Sequence, residues 1–327
     1  MLLKLYRKEA LIFLRHDPFY DQVRSLLKNE TPKSSIDWTR MSPYLNHHGL
    51  SARAYRLHTE GKLNLPKADL EAFKKHTMGQ IYRHSNYFNT LKEILPELKK
   101  HNFSWSLLKG LPLAQKYYEN FEDRDFSDID FLVTKDNTQI IPVLNQFGYK
   151  EAFEVKLKEN RHKKLFLHNQ NKYLPIEIHF GFGDYPLKSD LVFSQVERQQ
   201  IRFGGEQLEV NVLSPKIEWD YLLYHACIQH RLSHLKWMMD FYEINNKFEL
   251  SDDIENNNLY LKRAHRIVKK HLETKDGIHW IWSWVYKEQG SWHTIRVALL
   301  RSYFTSPLAF ISFQIRKFAS KKRGVSD

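Results

Sequence analysis

The chain has 327 residues, with 50 Lys and Arg against 38 Asp and Glu and a formal charge of +12, long enough to bury a large core in two or three packed units. The lone Cys227 excludes an internal disulfide framework and a Cys-rich zinc site; it points to a reducing, cytoplasmic compartment, with no disulfide-linked partner. The basic excess favours polyanions such as nucleoside triphosphates, RNA or an anionic membrane surface, with a plain solvated basic surface as the alternative.

Residues 1–100 read as helical. The opening Met1 to Glu9 leads into an apolar run broken by Arg15, His16 and Asp17, so neither a signal peptide nor a spanning helix is expected there. Glu30 to Ser35 is a turn-rich joint. From Pro66 onward, Leu70, Phe73, Ile81, Phe88, Leu91, Ile94 and Leu98 fall near helical spacing. They predict a long amphipathic helix, or a broken pair, ending before His101.

Strand and turn signals follow. Phe103 to Leu108 predicts a first strand, Lys109-Gly110 a turn, and Leu111 to Tyr118 a helix whose N-terminus faces that turn. Ile129 to Val133 predicts a second strand, and Ile140, Ile141, Leu144 and Phe147 a helix capped by Gly148. Lys163–His168 and Lys172–Phe180 form a hairpin about Asn169 to Asn171; Gln200–Phe203 and Gln207–Val212 form another about Gly204-Gly205-Glu206. Together these give a mixed sheet with helices on one side. After Pro215 the pattern is helical again, with Trp219, Leu222, Leu223, Ala226 and Ile228 as an apolar stripe before a Leu232–Phe241 helix.

The chemistry concentrates in Arg124-Asp125-Phe126-Ser127-Asp128-Ile129-Asp130-Phe131. Residues at i and i+2 of a strand share a face, so Asp128 and Asp130 project together while Ile129 and Phe131 enter a core. Two carboxylates that close repel unless a cation lies between them, which makes the pair a candidate Mg²⁺ site. In Ile176-Glu177-Ile178-His179 the same alternation turns Glu177 and His179 to one face.

A Gly-bearing turn after a strand, then Asp-x-Asp, then a lone strand acid resembles the polymerase-beta-like nucleotidyltransferases, and within them a bacterial family with Leu-Lys-Gly, Asp-Ile-Asp and a strand Glu followed by His. The likeness also covers Phe147-Gly148-Tyr149, Leu222 to Arg231 and Leu235 to Asp240. It implies an α+β fold: a nucleotidyltransferase core over 101–214, with helical units at 1–100 and 215–327, the latter ending in a basic tail. It further implies transfer of a nucleotide from an NTP such as ATP to an acceptor hydroxyl. Asp128, Asp130 and Glu177 would be the catalytic metal-binding acids, holding two Mg²⁺ about 3.5–4 Å apart. The superfamily's usual Gly-Ser or Gly-Gly is here Lys109-Gly110, which removes a hydroxyl or second glycine from the phosphate loop.

Gly110 lets the backbone approach phosphate at a helix start, and Lys109 adds a point charge for the β- or γ-phosphate. Arg124 is a phosphate or carboxylate clamp if it matches the family's Arg, and otherwise a salt-bridge partner of Asp125 or Glu122. His179 is placed to orient Glu177 or touch nucleotide. Lys236 and Asp240 are an i,i+4 pair: a helix ion pair, or charges presented to the nucleotide. His230 and His234 are also i,i+4, but no further ligand with zinc spacing follows, so zinc is not expected. The acceptor stays open among RNA, protein, and a sugar or small metabolite. Two rival readings are a non-catalytic nucleotide- or RNA-binding member of the fold, and a membrane-associated transferase acting on a cell-envelope precursor. The second rests on residues 294–323, which mix bulky apolar side chains with Lys and Arg; packing in the C-terminal helical unit is the simpler account.

Overall fold

The computed structural model describes residues 18–32, 35–101, 103–134, 138–152, 163–181, 192–230 and 234–248, with positions 261, 262, 264–266, 268 and 269. The apolar and basic segment 294–323 lies outside the described residues.

Among the described residues four helices come first: α1 (Pro18–Leu27), α2 (Trp38–His47), α3 (Ser51–Thr59) and α4 (Lys67–Leu98). Asp37 starts α2 by accepting the Thr39 backbone N–H at 3.1 Å, which satisfies one of the donors a helix start leaves unpaired. The long amphipathic pattern is one unbroken helix of 32 residues, α4. Its buried line differs from the one the spacing predicts. Gln80, His84 and Tyr87 are buried whereas Ile81 is only half-buried. The reason is the neighbour: the His84 ring stacks on Phe126 at 4.6 Å and 9°, and its Nε2 lies 3.4 Å from the Arg124 carbonyl oxygen. The polar half of α4 therefore props the loop that carries the acids.

The sheet comprises β1 (Trp105–Leu108), β2 (Ile129–Val133), β3 (Tyr149–Glu151), β4 (Lys163–His168), β5 (Ile176–Phe180), β6 (Val196–Phe203) and β7 (Glu206–Leu213). The order across it is β3-β4-β5-β2-β1-β7-β6. β1 and β2 are antiparallel, while β2–β5 and β1–β7 are parallel. Helix α5 (Gly110–Tyr117) follows β1, and α6 (Ile140–Gln146) follows β2. β5 begins at Ile176, later than the sequence pattern suggests, because Pro175 has no N–H for the ladder; its carbonyl instead accepts the Ile129 N–H at 2.9 Å. Gly204 and Gly205 both have positive φ, +58° and +84°, as a two-residue hairpin turn requires.

Helices cover both faces of this sheet, not one. Leu107, Ile129, Phe131, Val133, Ile176 and Ile178 pack with Tyr87 to Leu98 of α4 and with Ile140, Val143 and Leu144 of α6. Their strand neighbours Leu108, Leu132 and Leu213 join a second cluster with Leu26, Met41, Leu45 and Leu57 from the first three helices and with Leu222, Phe241 and Ile244. Strand alternation makes this unavoidable: when both parities of β1 and β2 are buried, each face needs its own cover.

The later helices are α7 (Pro215–Leu223), a π-helical stretch Tyr224–Gln229, and α8 (Lys236–Lys247). Pro215 starts α7 where a missing N–H is harmless. The π turn, unmarked in the sequence, brings His225 toward Lys109, with 3.5 Å between His225 Nε2 and Lys109 Nζ. Among the described residues, no helix is long and apolar enough to cross a membrane.

Candidate active site

The β1–α5 turn holds two consecutive residues with positive φ, Lys109 at 54° and Gly110 at 58°. For a lysine that region is strained, so the surroundings must hold it. The Lys109 ammonium is anchored 3.1 Å from Asp130 Oδ2. Burial alone would lower its pKa, but Asp130, with Tyr221 and Asp128, raises it above the usual lysine range. Gly110 is fixed by packing as well as by φ. A Cβ there would lie 2.7 Å from Tyr87 Cε2.

The acids are placed by strand register. Asp130 in β2 lies directly beside Glu177 in parallel β5, and Leu132 beside His179, so Asp130, Glu177 and His179 share one sheet face. Asp130 is 2 % exposed. His179 Nε2 is 2.9 Å from Asp130 Oδ1 and 3.6 Å from Glu177 Oε2, and one ligating atom from each of the three residues lies within 4.8 Å of the others. Burial opposes His179 protonation, yet Asp130 and Glu177 raise its pKa. Burial likewise opposes Asp130 ionisation, and Lys109 with His179 more than reverses that, holding the carboxyl well below its usual range.

Asp128 precedes β2 at a bend, half-buried. Burial, followed by the charge of Asp130, pushes its pKa up to about 6 against the pull of Lys109. Two residues apart, the Asp pair thus shows the like-charge crowding that a divalent cation relieves. Three carboxylates are the hard oxygen donors that suit Mg²⁺.

The other sequence-derived residues fall in two places. Arg124 and Asp240 form a buried bidentate pair, with Nε–Oδ1 2.7 Å and Nη2–Oδ2 3.0 Å, and the Tyr118 hydroxyl donates to the same Oδ1 at 2.5 Å. Arg124 is therefore paired with neither Asp125 nor Glu122, and Asp240 gives its oxygens to Arg124 and Tyr118. The pair clamps the loop before β2 onto α8. Lys236, one turn before Asp240, lies near Gly49 and Asp125, its Cδ 3.4 Å from where a Gly49 Cβ would be; burial lowers its pKa, with Asp125 opposing.

Two side chains at the site were not singled out by the sequence reading. Lys163 of β4 contacts Glu177 Oε2 at 2.5 Å; the β4–β5 hairpin register, Lys163 opposite His179, carries that signal. His225, inside the Leu222 to Arg231 stretch of the family likeness, comes from 116 residues beyond Lys109 across a π-helical stretch, and no period or turn signal marked its approach to Lys109.

A sheet with Lys-Gly at the end of β1, an acid pair at the start of β2 and a third acid on β5 is the arrangement of a nucleotidyltransferase. The family described as "Uncharacterised nucleotidyltransferase" matches residues 34–270, and the chain belongs to that family. It is an enzyme of nucleotidyl transfer. No curated protein matches the chain significantly. Among solved structures, that of JHP933 from Helicobacter pylori is similar at 14 % identity, covering 78 % of this chain and 100 % of the other, with a TM-score of 0.30.

Proposed function

We propose that the chain moves a nucleoside monophosphate from an NTP to an acceptor hydroxyl, using Mg²⁺ held by Asp128, Asp130 and Glu177, in the cytoplasm. The hydroxyl gives up its proton to solvent as its oxygen forms a bond to the α-phosphorus, the bond from that phosphorus to the bridging oxygen breaks, and pyrophosphate leaves with that electron pair. The observation that carries the reading is the Asp130–Glu177 cross-strand pair, with Asp128 beside it raised first by burial and then by the charge of Asp130. When bound, Mg²⁺ would stabilise charge on the entering and leaving oxygens.

The chain's own groups do the rest. Lys109, its ammonium 3.1 Å from Asp130 Oδ2, would supply a positive charge to a phosphate oxygen of the bound NTP. His179 steadies the Asp130 carboxylate, its Nε2 2.9 Å from Oδ1, with Glu177 Oε2 3.6 Å away. Arg124 and Asp240 are positioning residues that fix the loop leading to Asp128. Positioning and charge stabilisation supply most of the rate.

The test is incubation of the full chain with each α-labelled NTP, Mg²⁺ and a whole-cell extract. Label should pass to an acceptor from at least one NTP, with Asp128→Asn and Glu177→Gln each lowering transfer roughly 100-fold or more. No transfer from any NTP, or full activity in both variants, overturns the reading.

A further inference from the structure

We infer that His47, His48 and His234 form a second metal site, chemically distinct from the acids, for a borderline transition ion of the Zn²⁺ or Co²⁺ type. It shares no ligand with the carboxylate site and stands or falls independently of the proposed reaction.

His47 ends α2 and His48 caps it, while His234 leads into α8. The three rings meet from opposite ends of the sequence: centroids are 4.8 Å apart for His47–His48, 5.2 Å for His47–His234 and 6.0 Å for His48–His234. One ring nitrogen from each lies within 4.8 Å of the others, close enough for small side-chain adjustments to place all three at about 2.0–2.1 Å from one ion. His234 Nδ1 is 3.1 Å from the His47 carbonyl oxygen. Donation of Nδ1–H there fixes the tautomer and leaves the Nε2 lone pair for a metal, the usual outer support of a ligating histidine.

Charge and burial agree with this. Burial, and then the neighbouring imidazoles, push His48 down to about 3; burial first also lowers His234. Burial thus favours the neutral form of His48 and His234, the form that binds metal. Asp125 acts on His234 as a nearby negative charge, against the positive charge of Lys236, and Arg83 holds the Asp125 carboxylate at 3.0 Å. The Leu235 N–H reaches His48 Nδ1 at 3.4 Å, a long contact. His47 is exposed, which gives an ion access. Three imidazoles and an open coordination position favour Zn²⁺ or Co²⁺ over Mg²⁺, which prefers oxygen. The competing account is ring packing alone, since Trp237 also stacks edge-on against His234 at 5.4 Å.

The full chain, stripped with chelator and supplied with excess Mg²⁺, is titrated with Co²⁺ and followed by visible d–d absorption and displacement by Zn²⁺. One equivalent should bind. His47→Ala, at an exposed position, and His234→Ala should each weaken binding about 100-fold or more, with metal-free melting of His47→Ala unchanged; Asp130→Asn should retain the band. Absence of a band in the native chain overturns the site, as does a band that survives both histidine variants or is lost only in Asp130→Asn.

Discussion

Gly110 shows how little room the phosphate turn leaves. Its φ of +58° and the Tyr87 ring 2.7 Å from any added Cβ act together. Gly110→Ala should cost about 1–3 kcal/mol, read as a lower urea midpoint, and Tyr87→Leu in the same background should recover part of it. Equal midpoints for Gly110→Ala and the native chain would show that the turn yields freely. Glu218 makes a different prediction. Buried in α7, it is raised from 4.5 to about 7, with Lys116 opposing the shift; the Lys116 ammonium is 3.7 Å from Oε2. A carboxyl with a raised folded pKa favours folding while it is protonated. Between pH 4.5 and about 7 the unfolded chain ionises it and the folded chain does not, so stability falls as pH rises and the full loss is present above 7. That loss is on the order of 3 kcal/mol. Glu218→Gln should therefore raise the melting temperature at pH 8 and change it little at pH 4.5; the opposite pH order would refute the assignment.

Between elements, buried ion pairs fix the helices to the loop that bears the acids. Arg53 of α3 donates from Nε to Asp123 Oδ2 at 2.9 Å, and its other nitrogens reach Glu243 of α8 and the Leu27 carbonyl. Arg56 also grips Asp123, at 2.7 Å. Such a network stabilises little over an apolar core, but breaking one member strands the others without compensation. Arg53→Met should lower stability by about 3–5 kcal/mol, measured by chemical denaturation; a loss below about 1 kcal/mol would mean Glu243 finds water or another cation. The Arg124–Asp240 pair does the same job one step nearer the acids, and its buried bidentate geometry explains why an arginine stands there: a lysine lacks the fork.

At the scale of the whole molecule, the centre of the sheet, β1 and β2, has neither face left to solvent. One side needs α4 and α6, the other the first three helices and α7–α8. A fragment of residues 101–214 keeps the strands and loses most of that cover, so it should show no cooperative thermal transition, whereas the full chain should. A folded, monomeric fragment by circular dichroism and sedimentation would show that the flanking helices are dispensable to the core. The +12 charge acts at the same scale: it speaks to which partners approach, through long-range attraction that salt screens, and has no say in the fold.

Local chemistry made much of this legible in advance. Alternation around Ile129 and Ile176 marked β2 and β5, Gly204-Gly205 marked the hairpin, and Asp128, Asp130 and Glu177 stood out because acids beside core residues are conspicuous. These are signals of period and turn, carried by residues within a few positions of one another. What depended on distant parts of the chain was not legible. The meeting of Asp130 with Glu177 was expected from the family resemblance, but the parallel pairing of β2 with β5 that produces it left no local signal; the stacking of His84 on Phe126 diverts the buried line of α4 away from Ile81; the α8 contact takes Arg124 from its sequence neighbours to Asp240. His47, His48 and His234 meet for the same reason. By itself the sequence determined which residues could be strand, turn or acid. Tertiary packing alone decided which of them face one another, because side chains far apart in the chain come together only where the buried faces of their elements must be matched.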